Sequence, residues 1–218
     1  AIMAGCLPMH FPVVVAAVTA MLEEPFLVHG ATASTGGCAV MVVINGPIRH
    51  ELGLDGTFNA LGSSDRGTTV IGRAIRLILG NLLDVRPGQI DRSTLGHPGK
   101  LSYCIAEDEE NAPWPSLAED RGIPKEASAV TVMAALAPRQ FMNEWTTEPK
   151  EILDTYCAEI KANLRHYSIY PGNYAIVVPP QLRTHFQNAG WSRRDIQEYV
   201  FENARIYRRE WAEVGKAN

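Results

Sequence analysis

The densest concentration of chemical groups runs from Lys100 to Trp114. A strand-like run carrying Cys104 ends in four consecutive acids, Glu107, Asp108, Glu109 and Glu110, closed by Asn111, Pro113 and Trp114. A thiol and several carboxylates at a strand end offer a nucleophile, a general acid or base, or oxygen ligands for a metal. Glu107 is closest to the strand and is the preferred proton-transfer group; Glu110 is a candidate for substrate binding. His97 and Cys104 would add softer metal donors, but the six residues between them match no zinc spacing. A run of like charge is also simply a solvated face in many chains.

Other groups fall at predicted strand ends and helix starts. Cys6 precedes a helix that begins at Pro12, where a helix dipole can lower a thiol pKa, and His10 stands four residues on as base or partner cation. A small buried cysteine at a corner is the competing reading. Asn45-Gly46-Pro47 is turn chemistry, and it delivers Arg49 to the end of the strongest strand, where its planar fork suits a carboxylate or phosphate. The free amides at Gly67-Thr68 would suit an anion, and Arg73 and Arg76 on the same helix would line a cleft or face solvent. Gly62 to Gly67 is neither a Walker A loop nor Gly-x-Gly-x-x-Gly. His29, His50, His166 and His185 are scattered, while Cys157 and the Trp191, Tyr199, Phe201 and Tyr207 set read as packing.

Together these residues suggest an enzyme with Cys6 as nucleophile, assisted by Cys104. His10 or Glu107 would move the proton, and Asn45, Arg49, Arg73 and Glu110 would orient a small anionic substrate. Hydrolysis, or addition and elimination, on a carbonyl, nitrile or thioester-like compound would fit. Three alternatives stay open. Cys6 could pair transiently with Cys38 or Cys104 in thiol redox chemistry. The chain could be a non-catalytic binding subunit. Glu107, Glu109, His97 or Cys104 could hold a metal. The identity of any cofactor or metal is not readable.

The elements that must position these groups alternate. Ala1 to Gly5, Phe26 to Ala31, Cys38 to Ile44, Leu101 to Ala106, Ala129 to Ala134 and Tyr174 to Val178 read as strands. Pro12 to Glu24, Thr68 to Leu83, Pro149 to Tyr167, Gln181 to Ala189 and Arg193 to Arg208 read as helices, with a helical turn at Ile48 to Leu52 and Ser192 as an N-cap. Leu54 to Gly67 and Arg86 to Gly99 read as loops. The alternation argues an α/β fold: a mixed sheet flanked by helices in a layered sandwich. One domain over residues 1–218 is expected, with 181–218 as a helical extension. The opening Ala-Ile-Met-Ala-Gly reads as the middle of a buried strand, so residues upstream are expected, as is a homo-oligomer or a complex with a partner subunit.

At 218 residues, 46% apolar and 20% charged, the chain has an ordinary globular composition. A net charge of −4 disfavours nucleic acid and anionic membrane surfaces as partners. No apolar run approaches the roughly 18 to 20 residues of a membrane span. Four widely spaced cysteines without a Cys-x-x-Cys suit a reduced, cytoplasmic chain.

Several segments together resemble one family, the UGSC (seleno)proteins, named for a selenocysteine- or cysteine-Gly-Ser-Cys motif. They are Ala4-Gly5-Cys6 with Pro12-Val13-Val14, Asn45 to Arg49 with Glu51-Leu52-Gly53, and Ile71 to Ala74 with Arg76-Leu77. Arg86-Pro87-Gly88, Cys104, Ala106 to Glu110 and Pro113-Trp114 continue the likeness, which is looser around Ala189 to Ser192. Leu7-Pro8-Met9-His10 stands where the family has Arg-Pro-Glu-Tyr, and Asp108 where it has Asn. The redox motif itself is absent from this chain, and the resemblance would place it upstream or in a partner. The resemblance implies positions rather than a reaction.

Overall fold

The structure, a computed structural model, describes residues 1–62, 64–166 and 173–216. Ser63 and Tyr167, the expected end of a long helix, lie outside these residues. The chain divides into two compact units, Ala1–Gln140 and Phe141–Asn218. The boundary therefore precedes the long helix, where a single domain with an extension from 181 was expected.

The first unit is a mixed α/β sheet with helices packed on it. Its centre is β1 (Ala39–Asn45), buried at every position. An unbroken apolar, largely β-branched run fits such a site, because both faces of a central strand need apolar cover. β1 pairs in parallel with β2 (Cys104–Ala106) and antiparallel with β3 (Ala129–Ala135). The parallel register sets Ile44 beside Ala106, so the carboxyl ends of β1 and β2 lie side by side. Ile44 and Ala106 are 62 residues apart in sequence, and their pairing brings Asn45 and Arg49 to the acid run.

Helix α1 (Phe11–Leu22) packs on β3, and short helices α2 (Val28–Thr32) and α3 (Ile48–Glu51) flank β1. Helix α4 (Arg66–Asn81) lies against β1 and β2. Val40, Val42 and Ile44 on one sheet face join Val14, Ala17, Ile71 and Ile75 in the main core. Met41 and Val43 on the other face join Tyr103, Ile105 and Leu117. Asp65 caps α4 by accepting the Thr68 N–H at 2.7 Å.

Gly72 lets α4 approach β2. A Cβ there would meet Ser102 Oγ, Tyr103 N at 2.8 Å and Cys104 Cβ at 3.2 Å, and would disturb the Ser102 hydroxyl that donates to Thr69 O. Gly80, on the same helix, has nothing within 4 Å of its virtual Cβ. Gly72→Ala should therefore cost about 1–3 kcal/mol by overpacking, whereas Gly80→Ala should gain up to about 1 kcal/mol from helix propensity. Urea melts of the two variants check this. Equal effects would show that Gly72 is not a packing requirement.

The second unit is helical: α5 (Pro149–His166), α6 (Pro180–Asn188), α7 (Arg193–Asn203) and α8 (Arg208–Glu213). Its buried side chains include Leu153, Tyr156, Cys157, Phe186 and Val200. Ser192 Oγ accepts the Asp195 N–H, and Asp195 accepts the Ser192 N–H, completing a capping box for α7.

Several expected elements differ. Ala1–Gly5 is a 3₁₀ turn, not a strand; Gly5 sits at φ 94°, and Ile2 and Met3 are exposed. Phe26–Ala31 is a turn leading into α2, with Leu27 at φ 51° breaking any extended run. Leu101 ends a 3₁₀ turn, so β2 starts only at Cys104. Tyr174 to Val178 pairs with no strand among the described residues. The expected helix Arg193–Arg208 is two helices, broken near Ala204, where Arg205 Nε turns back to donate to Phe201 O. No single described helix is long and apolar enough to cross a membrane.

Candidate functional site

The carboxyl ends of β1 and β2 carry one connected polar network. Asn45, the last residue of β1, is fully buried; its Nδ2 donates to Glu107 Oε2 at 2.7 Å and to Glu109 Oε1 at 2.8 Å. The Gly46 N–H also donates to Glu109 Oε1, at 2.8 Å. Gly46 has φ +83°, and a Cβ would collide with Ala127 O, so only glycine brings that amide to the carboxylate. Glu107 Oε2 accepts a second bond from the Leu117 N–H at 2.8 Å.

Arg49, from α3, is 4% exposed and turns its guanidinium into this network. Nε donates to Gly46 O at 3.1 Å, and one terminal nitrogen donates to Glu107 O at 2.8 Å and Glu110 Oε2 at 3.0 Å. The other meets Glu110 Oε1 at 2.7 Å and Glu109 Oε2 at 3.0 Å. Hydrogen bonds from Arg49 chiefly, outweighing partial burial, hold the Glu110 carboxyl down at about 2. Glu110 and its neighbour His50, 2.8 Å away, are the exposed rim; the Glu109 side chain is nearly buried. Arg49 thus reaches the predicted place, but its fork is a framework cation there and is not open to a substrate anion.

One atom is left over. Asn45 Oδ1 is buried and has no hydrogen-bond partner. Leaving such an acceptor unmatched costs about 1–3 kcal/mol, so this amide is held in place against a local penalty.

The thiols do not join the network. Cys6 and Cys104 belong to the same apolar cluster as Val70, Ile71 and Ala74. The Cys6 thiol donates to Val70 O at 3.4 Å; burial pushes its pKa up, against the smaller pull of the N-terminal ammonium and Arg66. Burial, and then Asp65, push Cys104 far higher. His10 Nδ1 accepts the Leu7 N–H at 3.2 Å, and burial first, then Arg66, lower its pKa. In the neutral ring the remaining nitrogen carries the proton. His10 therefore caps a turn and is not arranged as a base for Cys6.

The other predicted groups lie elsewhere. Arg73 is half-buried on α4 and donates no bond within the network. The Thr68 amide is taken by Asp65, which occupies the expected anion position. His97 accepts the Gly99 N–H and stacks edge-on to Tyr103. Among the described residues, no three His, Cys, Asp or Glu side chains are placed to hold a metal ion. Two features were not anticipated. The Leu117 amide has no side-chain signature to read. Asp91, 4% exposed, bonds Lys100 Nζ at 2.9 Å and Ser93, and pairs with Arg76 at 3.4 Å, around a cavity of about 20 Å³ near Cys38. Burial alone would raise the Asp91 pKa, but Lys100 and Ser93 bring it to about 2. A wider groove of about 500 Å³ on the second unit is edged by Trp191, Asp195, Glu198 and Glu202, but these acids already bond Ser192, Arg194 and Arg205.

Comparison of the chain with family models, with curated proteins and with solved structures gives no match.

Proposed function

We propose that this chain is a small-molecule enzyme whose working groups are the carboxylates at the ends of β1 and β2. Glu107 transfers the proton, and Asn45 holds it in register. The observation that carries this reading is the pair of donors on one oxygen of Glu107, Asn45 Nδ2 and the Leu117 N–H, which come from different elements and fix the rotation of the carboxylate. Positioning of this kind is what separates a catalytic carboxylate from a solvated one. Hydrolysis or addition and elimination on a small carbonyl, nitrile or thioester-like compound fits a carboxylate base acting on water or substrate. Cys6 and Cys104 serve packing in this reading. Kinship with the UGSC proteins would make Asn45 to Arg49 and Glu107 to Glu110 the shared working parts.

The test is a thermal-shift screen of small carbonyl, amide, nitrile and amine compounds on the full chain, repeated on Glu107→Gln. A ligand at about 100 times its Kd stabilises by about 2.7 kcal/mol, a rise on the order of 5 °C. Hits are expected to lose most of that rise in Glu107→Gln, and turnover of the best hit should fall by about 100-fold or more. Hits and turnover that ignore Glu107→Gln but vanish in Cys6→Ala would overturn the reading.

A further inference from the structure

We propose that two copies of this chain pair through the outer edge of β3 and the exposed face of α1, extending the sheet across a two-fold axis. The strand edge is the first observation. The sheet order is β2-β1-β3, so β3 turns one side to β1, and among the described residues no strand pairs with its other side. Alternate residues of an antiparallel strand send their N–H and C=O groups outward, and an open row of them is a template for another strand. Edges are ordinarily blunted by shortness, charge, proline or a bulge. β2, the other edge, is three residues long and runs into Glu107 to Glu110. β3 has seven residues, Ala-Val-Thr-Val-Met-Ala-Ala, without a charge, a proline or a glycine. It matches β1 residue for residue from Ala129 to Ala135, so no bulge twists the edge away.

The helix on that strand is the second observation. α1 packs on β3 and carries no charged residue. A helix that is apolar all round is normally buried all round, yet only Val13, Val14, Ala17 and Met21 of α1 are buried. Phe11, Val15, Val18 and Leu22 recur at the i, i+4, i+7, i+11 spacing of a helix–helix seam. Phe11, Val15 and Leu22 are 56%, 46% and 63% exposed. Antiparallel pairing of β3 with its own copy places the two-fold axis perpendicular to the sheet. Both α1 helices then lie on one face, side by side, and their seams come within reach of each other. A second copy therefore satisfies strand and helix together. A lipid surface would cover the seam but cannot bond an open strand edge. A lone extended peptide would pair with the edge and leave the seam in water. Neither element carries a charge that would repel its own copy. The exposed parts of the seam and the strand come to roughly 500 Å² in each copy, so the pair buries about 1,000 Å² in all, which suits a specific but weak dimer.

Sedimentation velocity of the full chain tests this, over about 1 to 100 μM, where an interface of this size should show a dimer with a Kd of about 1–10 μM. Two variants place a charge on the pairing surface, Ala134→Lys on the strand and Val15→Glu in the seam. Both positions are exposed, so each protomer should keep its fold, as an unchanged far-ultraviolet circular dichroism spectrum would show. Each charge then faces its own copy, and dimerisation should weaken by about tenfold or more. Phe201→Glu, on an equally exposed apolar residue of α7, should leave the dimer intact. Hydrogen exchange adds a local readout: alternate backbone amides of β3 should gain protection as wild type is concentrated, and those of Ala134→Lys should not. A chain that stays monomeric at the highest concentration, free or bound to phosphatidylcholine vesicles, would overturn the proposal. So would a dimer that ignores both Ala134→Lys and Val15→Glu, or one lost equally in Phe201→Glu.

Discussion

Replacing Arg49 by lysine should lower the melting temperature of the first unit by about 10 °C or more, although the formal charge is unchanged. Removing one partner from a buried ion pair costs about 3–5 kcal/mol, and each kcal/mol is worth about 3 °C or more in a unit of this size. Lysine cannot replace the fork. Arg49 spans two carboxylates and two main-chain carbonyls from one planar group, whereas an ammonium offers three donors from a single point. Glu109, nearly buried, is the group left most exposed to the loss. Arg49→Met should be worse. The pH dependence separates this from ordinary packing damage. The folded pKa of Glu110 is depressed to about 2, mainly by Arg49. Its contribution is therefore present above the ordinary glutamate pKa of about 4.3 and drains away as pH falls toward 2. Because Glu110 is half exposed, that contribution is modest, but its pH signature is specific. Melts at pH 7, 5 and 3 should show wild type losing stability over this window and Arg49→Met losing less of it. A variant that melts within about 2 °C of wild type, with an unaltered acid slope, would show that the network carries little of the fold.

The sequence made the central strand and the acid run legible because both are strong local signals. Seven apolar residues flanked by Gly-Gly and Asn-Gly-Pro specify a buried strand and a turn with little help from elsewhere. The same pattern sent Asn45, Arg49, Glu107 and Glu110 to one end of the sheet, and the parallel register of β1 and β2 brings them into contact. What the sequence could not show was the direction of each side chain. Arg49 looked like a hand held out to a substrate, and it is instead folded into its own carboxylates. Ala1 to Gly5 looks like a strand because it is apolar, but no strand among the described residues receives it, and Gly5 in the left-handed region turns it away. Cys6 and His10 have the spacing of a reactive pair. Their roles are decided by Val70 O and the Leu7 amide, acceptor and donor groups of the main chain that every residue possesses.

The four thiols should alkylate in an order set by burial: Cys38 first, Cys6 second, Cys157 and Cys104 last. Only the thiolate reacts, so accessibility and pKa multiply. Cys38 is the one thiol that is not buried. Cys6 sits beside the short N-terminal turn and donates a hydrogen bond to Val70 O, so fraying of a few residues releases it. Cys104, the first residue of β2, is buried against Gly72 of α4, its pKa raised by apolar burial and by Asp65. It must await an opening that costs several kcal/mol, which suppresses its rate by about 1,000-fold or more relative to an unfolded peptide. A raised pKa also fixes the sign of the pH response: reactivity of Cys6 should climb only above the ordinary thiol range of about 8.5, with no plateau near neutrality. Peptide-resolved mass spectrometry after timed iodoacetamide pulses from pH 6 to 10 reads all four at once. If Cys6 outran Cys38 and reached its plateau below pH 8, an activated thiolate would exist at the start of α4. The His10 ring would then have to exchange its Leu7 partner for the thiol, and the chemistry would move from Glu107 to that corner. The slow, burial-ordered result instead leaves the carboxylates at the ends of β1 and β2 as the groups positioned to react.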